Sequence, residues 1–191
     1  MRFSLAPCRQ LFQTLSRGRF SRSERGSVTV EFVLLLPAIA SLLAVVVFGG
    51  EGFEISRKLT MTVRTLADLA SQQTDVGSSA TYPYSSLLTA ASLVISPYDA
   101  TPLGMTLSEI KVTGSNTGTV VWSKANAHGT ALTKNSTVTT PNNIATGSYL
   151  ILGQATYSYN PLQLYLSSNP VTLSSSLYLS PRQTSVGCTG C

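Results

Sequence analysis

The sequence predicts an α+β protein: a long N-terminal membrane-spanning helix continuing as an amphipathic helix, followed by a small antiparallel β-sheet domain. Three observations predict it. An apolar run from Val28 to Gly50 is interrupted only by Thr29, Glu31, Pro37 and Ser41. Apolar residues then recur at Ile55, Leu59, Val63, Leu66 and Ala70, three to four apart, which lines one face of a helix. Beyond Asp75 the chain turns rich in serine, threonine and glycine, with short apolar segments between turn signals.

The chain has 191 residues, of which 11% are charged and 43% hydrophobic, so charge is scarcer than in an ordinary soluble domain. Its formal net charge of +5 is concentrated at the start. Arg2, Arg9, Arg17, Arg19, Arg22 and Arg25 stand against Glu24 alone, and the remainder of the chain is neutral. A basic arm abutting an apolar run marks a cytoplasmic flank by the positive-inside rule. A nucleic-acid arm is the other reading of such charge, but few aromatics are interleaved with these arginines, and no nucleic-acid partner is expected.

A helix rising ~1.5 Å per residue needs about 20 residues to cross a hydrocarbon core of ~30 Å, and the run from Val28 to Gly50 is long enough. A secretory signal peptide cut after Ala38-Ile39-Ala40 would leave Leu42 to Phe48 on the wrong side of the cut, in mid-run. A buried helix of a soluble core does not explain the arginine flank. Pro37 removes the hydrogen bond to the Val33 carbonyl and should bend the span. Gly49, Gly50 and Gly52 each weaken a helix, so a soft joint is expected there, with the amphipathic helix resuming over residues 53–73. Glu54 and Lys58 have the spacing of a favourable i,i+4 pair. The organisation is thus a leader, residues 1–26; a helical part, 27–75, with its span at 28–50; and a strand-rich domain, 76–191.

Within that domain a short helix is expected from Tyr84 to Ile95. Strands are expected at Met105–Thr113, Thr119–Lys124, Ser148–Tyr159 and Val171–Leu179, the first two joined as a hairpin across Ser115–Thr117. Residues 126–147 read as an irregular exposed loop. Trp122 and the tyrosines at 149, 157, 159, 165 and 178 read as core and sheet residues.

No catalytic constellation stands out, and no enzyme activity, cofactor or metal is expected. His128, the only histidine, sits in a loop-like stretch with no acid close in sequence. Cys8 lies in the basic leader, while Cys188 and Cys191 form Cys-Thr-Gly-Cys. Two cysteines alone make half a zinc site, and a thioredoxin-like pair belongs between a strand and a helix, a context that a tail is not expected to offer. In an oxidising compartment Cys188 and Cys191 would form a small disulfide loop or bond to a partner's cysteine.

Arg25-Gly26-Ser27-Val28-Thr29-Val30-Glu31-Phe32 resembles the processing site of type IV prepilins and pseudopilins: a basic leader, a glycine, a cut, and glutamate as the fifth residue of the new chain. Over Arg25 to Pro37 it is more closely similar to the TadE-like pseudopilins of tight-adherence (Tad, or Flp) pilus systems. That family's pattern continues with a glycine and an acidic residue at the exit of the span, here Gly49-Gly50-Glu51, and then a polar helix. The likeness covers residues 22–73 and is loose beyond them. Two features depart from it, the Gly-Gly-Glu-Gly exit and the Cys-x-x-Cys pair.

The resemblance implies a pilin-like fold and a minor pilin or pseudopilin acting in pilus assembly. It implies a single-pass protein of the inner membrane, N-terminus cytoplasmic and C-terminal domain periplasmic, cut between Gly26 and Ser27. Implied partners are the prepilin peptidase, other pilins or pseudopilins, and the Tad inner-membrane assembly proteins. A membrane-tethered adhesive or ligand-binding protein that uses the helix only as an anchor is the alternative. Glu31 and Phe32 are the expected subunit-pairing residues. A carboxylate deep in the bilayer costs ~3 kcal/mol, against ~0.3–1 kcal/mol gained from the helix dipole, so Glu31 either stays among the headgroups or finds a partner. The partner supplied by the cut is the free amine of Ser27 on a neighbouring subunit, which is largely protonated at neutral pH.

Overall fold

The computed structural model describes residues 25–160 and 170–191. The leader before Arg25, with Cys8, and Tyr165 lie outside them. The chain divides into two compact units, one ending at Val45 and the other Val46–Cys191.

Residues Arg25–Ser71 form one α-helix, α1, with Pro37 inside it. The soft joint expected at the glycines is absent: helical backbone runs through Gly49, Gly50 and Gly52. Helical hydrogen bonds need no side chain, and this turn is also tied down. The Tyr159 hydroxyl donates to Glu51 Oε2 at 2.5 Å. The expected Glu54–Lys58 pair gives way too, because Lys58 Nζ donates instead to the Ser96 carbonyl. From Ile55 onward α1 buries a single stripe, Ile55, Leu59, Thr62, Val63, Leu66, Ala67 and Ala70, each at most 1% exposed. Thr62 is accommodated because its hydroxyl donates to the Lys58 carbonyl at 2.9 Å.

Tyr84–Ser92 form α2, extended by a 3-10 turn at Leu93–Ile95. The strands are β1 (Leu103–Gly114), β2 (Thr117–Ala125), β3 (Thr137–Thr139), β4 (Tyr149–Tyr159) and β5 (Val171–Leu179). They make one antiparallel sheet in the order β3-β2-β1-β4-β5, with β1 and β2 joined as the expected hairpin.

Both faces of this sheet are covered, which is why β1 reads as buried from Leu103 through Ile110 instead of alternating. Odd-numbered β1 positions, Leu103, Met105 and Leu107, join the stripe of α1 and Leu87, Leu88 and Ala91 of α2 in the main core. Gly153 of β4 permits the close approach of helix to sheet, since an added Cβ would lie 3.2 Å from the Val63 carbonyl and 3.4 Å from Ala67 Cβ. Even-numbered positions, Ile110 and Val112, form a second cluster with Val120, Leu150 and Leu152.

That second cluster corrects the expectation of an irregular exposed loop over 126–147. Leu132, Val138 and Ile144 from this segment pack on it, and β3 lies within the segment. Polar anchors hold the loop down: Ser123 Oγ accepts from Leu132 N at 2.8 Å, and Thr106 Oγ1 donates to the Thr130 carbonyl at 3.0 Å.

The β1–β2 register carries one irregularity with large effect. Glu109 pairs with Trp122, but the next residue, Ile110, pairs with Val120, leaving Val121 as an extra residue in β2. Such a bulge rotates the strand. Val120 therefore points into the second cluster while Trp122, two residues on, packs in the main core beside Glu109.

Candidate functional site

Two regions carry the chemistry, and each is described by itself. The first is the apolar part of α1. Its residues are exposed all round, from Val30 at 61% through Leu34 at 71% and Leu42 at 68% to Val47 at 52%. The helix is long and apolar enough to cross a membrane. Within it the Ser41 hydroxyl donates to the Ala38 carbonyl at 2.8 Å, which satisfies it inside the helix as a lipid environment demands. Gly26 and Ser27 lie in the first turn of α1, and Glu31 and Phe32 follow on the same helix, both exposed.

The second region is a strap, residues 180–191, that crosses from the end of α1 to the sheet. Arg182 N donates to the Ser71 carbonyl at 2.9 Å, satisfying a C-terminal helix carbonyl, and the Arg182 guanidinium pairs with Asp68 at 3.3 Å. The chain then runs beside the loop after α1. Gly187 N donates to the Thr74 carbonyl and Val76 N to the Gly187 carbonyl, each at 2.9 Å. Asp75 Oδ1 accepts from Gly77 N and Thr189 N, both at 2.9 Å. These amide donors, Thr189 foremost, hold the Asp75 carboxyl below its usual range.

Between those anchors the strap plunges into the core. Val186 is fully buried, its N–H donates to Glu109 Oε1 at 2.6 Å, and its carbonyl accepts from Trp122 Nε1 at 2.8 Å. Trp122 and Glu109, neighbours across the hairpin, thus grip both polar groups of one strap residue. Glu109 is 2% exposed, and burial pushes its carboxyl up, against the opposing pull of the Val186 N–H and the Trp122 side chain.

Cys188 and Cys191 form a disulfide with Cα atoms 5.4 Å apart. The turn between them is made by Gly190, whose φ of +77° suits glycine. Cys191 N donates to the Cys188 carbonyl at 3.2 Å, and Lys124 Nζ donates to the Cys191 carbonyl at 3.1 Å. The disulfide lines a cavity of about 440 Å³ together with Glu109, Trp122, Lys124, Lys134 and Tyr149. The pair does not stand between a strand and a helix, as expected, and its context is instead the strap's contacts with β1 and β2.

The structure brings Cys188 and Cys191 together and keeps Gly26, Ser27, Glu31, Phe32 and Pro37 on one helix. His128 is exposed in the turn after β2. No group of three or more potential metal ligands occurs among the described residues. Sequence reasoning passed over Glu109 and Asp75. Glu109 had a legible signal, because it continues the odd-numbered inward positions Leu103, Met105 and Leu107, so strict alternation turns its carboxylate toward the core. The chain has no match among known protein families, curated proteins or solved structures.

Proposed function

We propose that this protein is a pseudopilin, or minor pilin, of the TadE-like kind, which serves assembly of a tight-adherence pilus from the inner membrane. The observation that carries the reading is the first part of α1: an apolar helix exposed on every side, with one acid near its start, directly after Arg25-Gly26-Ser27. A helix that then continues as the packing helix of an α+β domain supports the same reading. The basic leader faces the cytoplasm, and the sheet domain lies across the membrane. The prepilin peptidase cuts after Gly26, and other pilin-like helices are the partners of residues 33–48.

Glu31 is the residue on which assembly turns. No acid occupies the first turn of α1 as it stands, and Glu31 lies beyond that turn. Removal of the leader brings a new terminus, Ser27, to about one turn from Glu31 and creates a charged amine. Pairing between that amine and Glu31 of a neighbouring helix fixes axial register, since a single stagger satisfies both charges away from water.

N-terminal sequencing of the protein from its native host tests the cut, with Ser27 expected first and full-length chain from Met1 counting against it. Glu31→Gln should insert and be cut normally but lose crosslinking through residues 33–48 to other pilin-like helices. Normal crosslinking and piliation in that variant would reduce Glu31 to a helix-end residue. Absence of any pilin-like crosslink in the wild type would instead favour a tethered binding domain.

A further inference from the structure

We propose that Cys188 and Cys191 are a redox-active pair that exchanges with cysteine thiols of a protein or peptide entering the cavity beside Trp122 and Lys124. The cavity, of about 440 Å³, is lined by both cysteines and by Glu109, Lys124 and Tyr149. Cys191 is exposed and Cys188 half-buried, so one sulfur of the bond is open to attack and the other is sheltered.

The bond is not what holds this segment in place. Gly187 and Thr189 are fixed to Thr74, Asp75, Val76 and Ser78, Val186 is held by Glu109 and Trp122, and the Cys191 carbonyl is held by Lys124. A disulfide that closes a loop this short removes little entropy from the unfolded chain. Its sequence separation is 3, so a clamp here adds least where the hydrogen bonds already suffice. Breaking it leaves both sulfurs near their present positions, ready to re-form.

In the exchange a substrate thiolate attacks Cys191 Sγ, the Cys188–Cys191 bond breaks, and a mixed disulfide forms while Cys188 leaves as a thiolate. Cys188 then takes a proton from solvent in the cavity. A second substrate thiol then attacks the substrate sulfur of the mixed disulfide, releasing Cys191, which is protonated from solvent. Two electrons and two protons pass from a substrate dithiol to the pair. Lys124 holds the Cys191 carbonyl and so keeps that end of the pair at the cavity. Glu109 acts as a positioning residue, through Val186.

The test uses the full chain in detergent, isolated oxidised, with reduced and oxidised glutathione as the probe and alkylation of free thiols as the readout. The pair should become reduced at millimolar reduced glutathione, with near-native Trp122 emission and an unchanged thermal midpoint. Cys188→Ser should capture glutathione on Cys191, and Cys191→Ser should capture it on Cys188 roughly tenfold more slowly, because the second sulfur is the less accessible. Glu109→Gln keeps an acceptor for Val186 N–H and should leave the exchange close to that of the parent chain, as a residue that only positions the strap requires. A pair that stays oxidised in the native protein under these conditions overturns the proposal. So does reduction that occurs only with loss of tertiary structure, which would make the bond a clamp.

Discussion

The two parts of α1 share one backbone and answer to different surroundings. From Thr29 to Val47 apolar residues occur on every side and all are exposed or nearly so, whereas from Ile55 to Ser71 one stripe of the helix lies at 0–1% exposure, with Arg57, Met61 and Arg64 facing outward. A helix apolar all round has to meet a surrounding apolar medium, and a helix apolar on one stripe has to meet one surface. The difference teaches where each part draws its stability. The second part is held by its own domain, through Leu59, Val63 and Leu66 against Leu107, Ile151 and Gly153. The first part has no protein partner among the described residues, and its apolar surface, from Val30 to Val47, is what a bilayer or other helices would cover.

The contrast breaks most sharply with a charge. Leu35→Arg puts a cation in the middle of the apolar part at a cost of about 3 kcal/mol for insertion, and should move the protein out of the membrane fraction. Near-ultraviolet dichroism of the solubilised protein should stay native. Loss of that signal would mean that the first part supports the fold after all.

Paired truncations come next in size. Leu66→Ala empties a fully buried position and should cost about 2–5 kcal/mol, while Leu42→Ala, at a position 68% exposed, should stay within about 0.5 kcal/mol, both by denaturant titration in detergent. Equal effects would erase the distinction between the two parts. Gly153→Val asks how closely the second part sits on the sheet. With the Val63 carbonyl 3.2 Å from the added Cβ, it should lose about 1–3 kcal/mol through a forced shift of helix or strand.

The smallest effect sharpens the end of the second part, where Asp75 fastens the strap. A carboxyl held below its ordinary value stabilises the fold above that value and ceases to do so as pH falls through the lowered one. Asp75→Asn keeps an acceptor for Thr189 N–H and does not titrate, so its loss of stability below about pH 4 should be shallower than in the parent chain. Glu109 works in the opposite sense. Burial raises it, so its contribution is present at low pH and lost as pH rises through the raised value. An unchanged acid limb in Asp75→Asn would place the acid sensitivity elsewhere.

Much of this architecture was legible from periodicity. The stripe from Ile55 to Ala70 is buried as spaced, and β5 spans the expected residues, because alternation and three-to-four spacing are imposed locally by backbone geometry. β3 was not legible, since a strand of three residues, Thr137–Thr139, carries too little pattern and exists by pairing with β2. The continuity of α1 through its glycines was hidden for a similar reason: Tyr159, which holds Glu51, lies far away in sequence. The strap shows the limit best. Cys188 and Cys191 announce a loop by their spacing, but the cavity they line depends on contacts from Val186 to Glu109 and Trp122, which no local pattern encodes.

The extra residue at Val121 gives the hairpin slack, since one residue can be lost there without turning the strand over. Substituting Val121 leaves the tally intact, and a range of side chains should serve at this half-buried site. Deleting it would leave Ile110 opposite Val120 and Glu109 opposite Trp122 in an unbroken ladder, so Trp122 should keep its face and the indole its grip on the Val186 carbonyl. At this one position the strand has a residue to spare, and what its loss would cost is local twist.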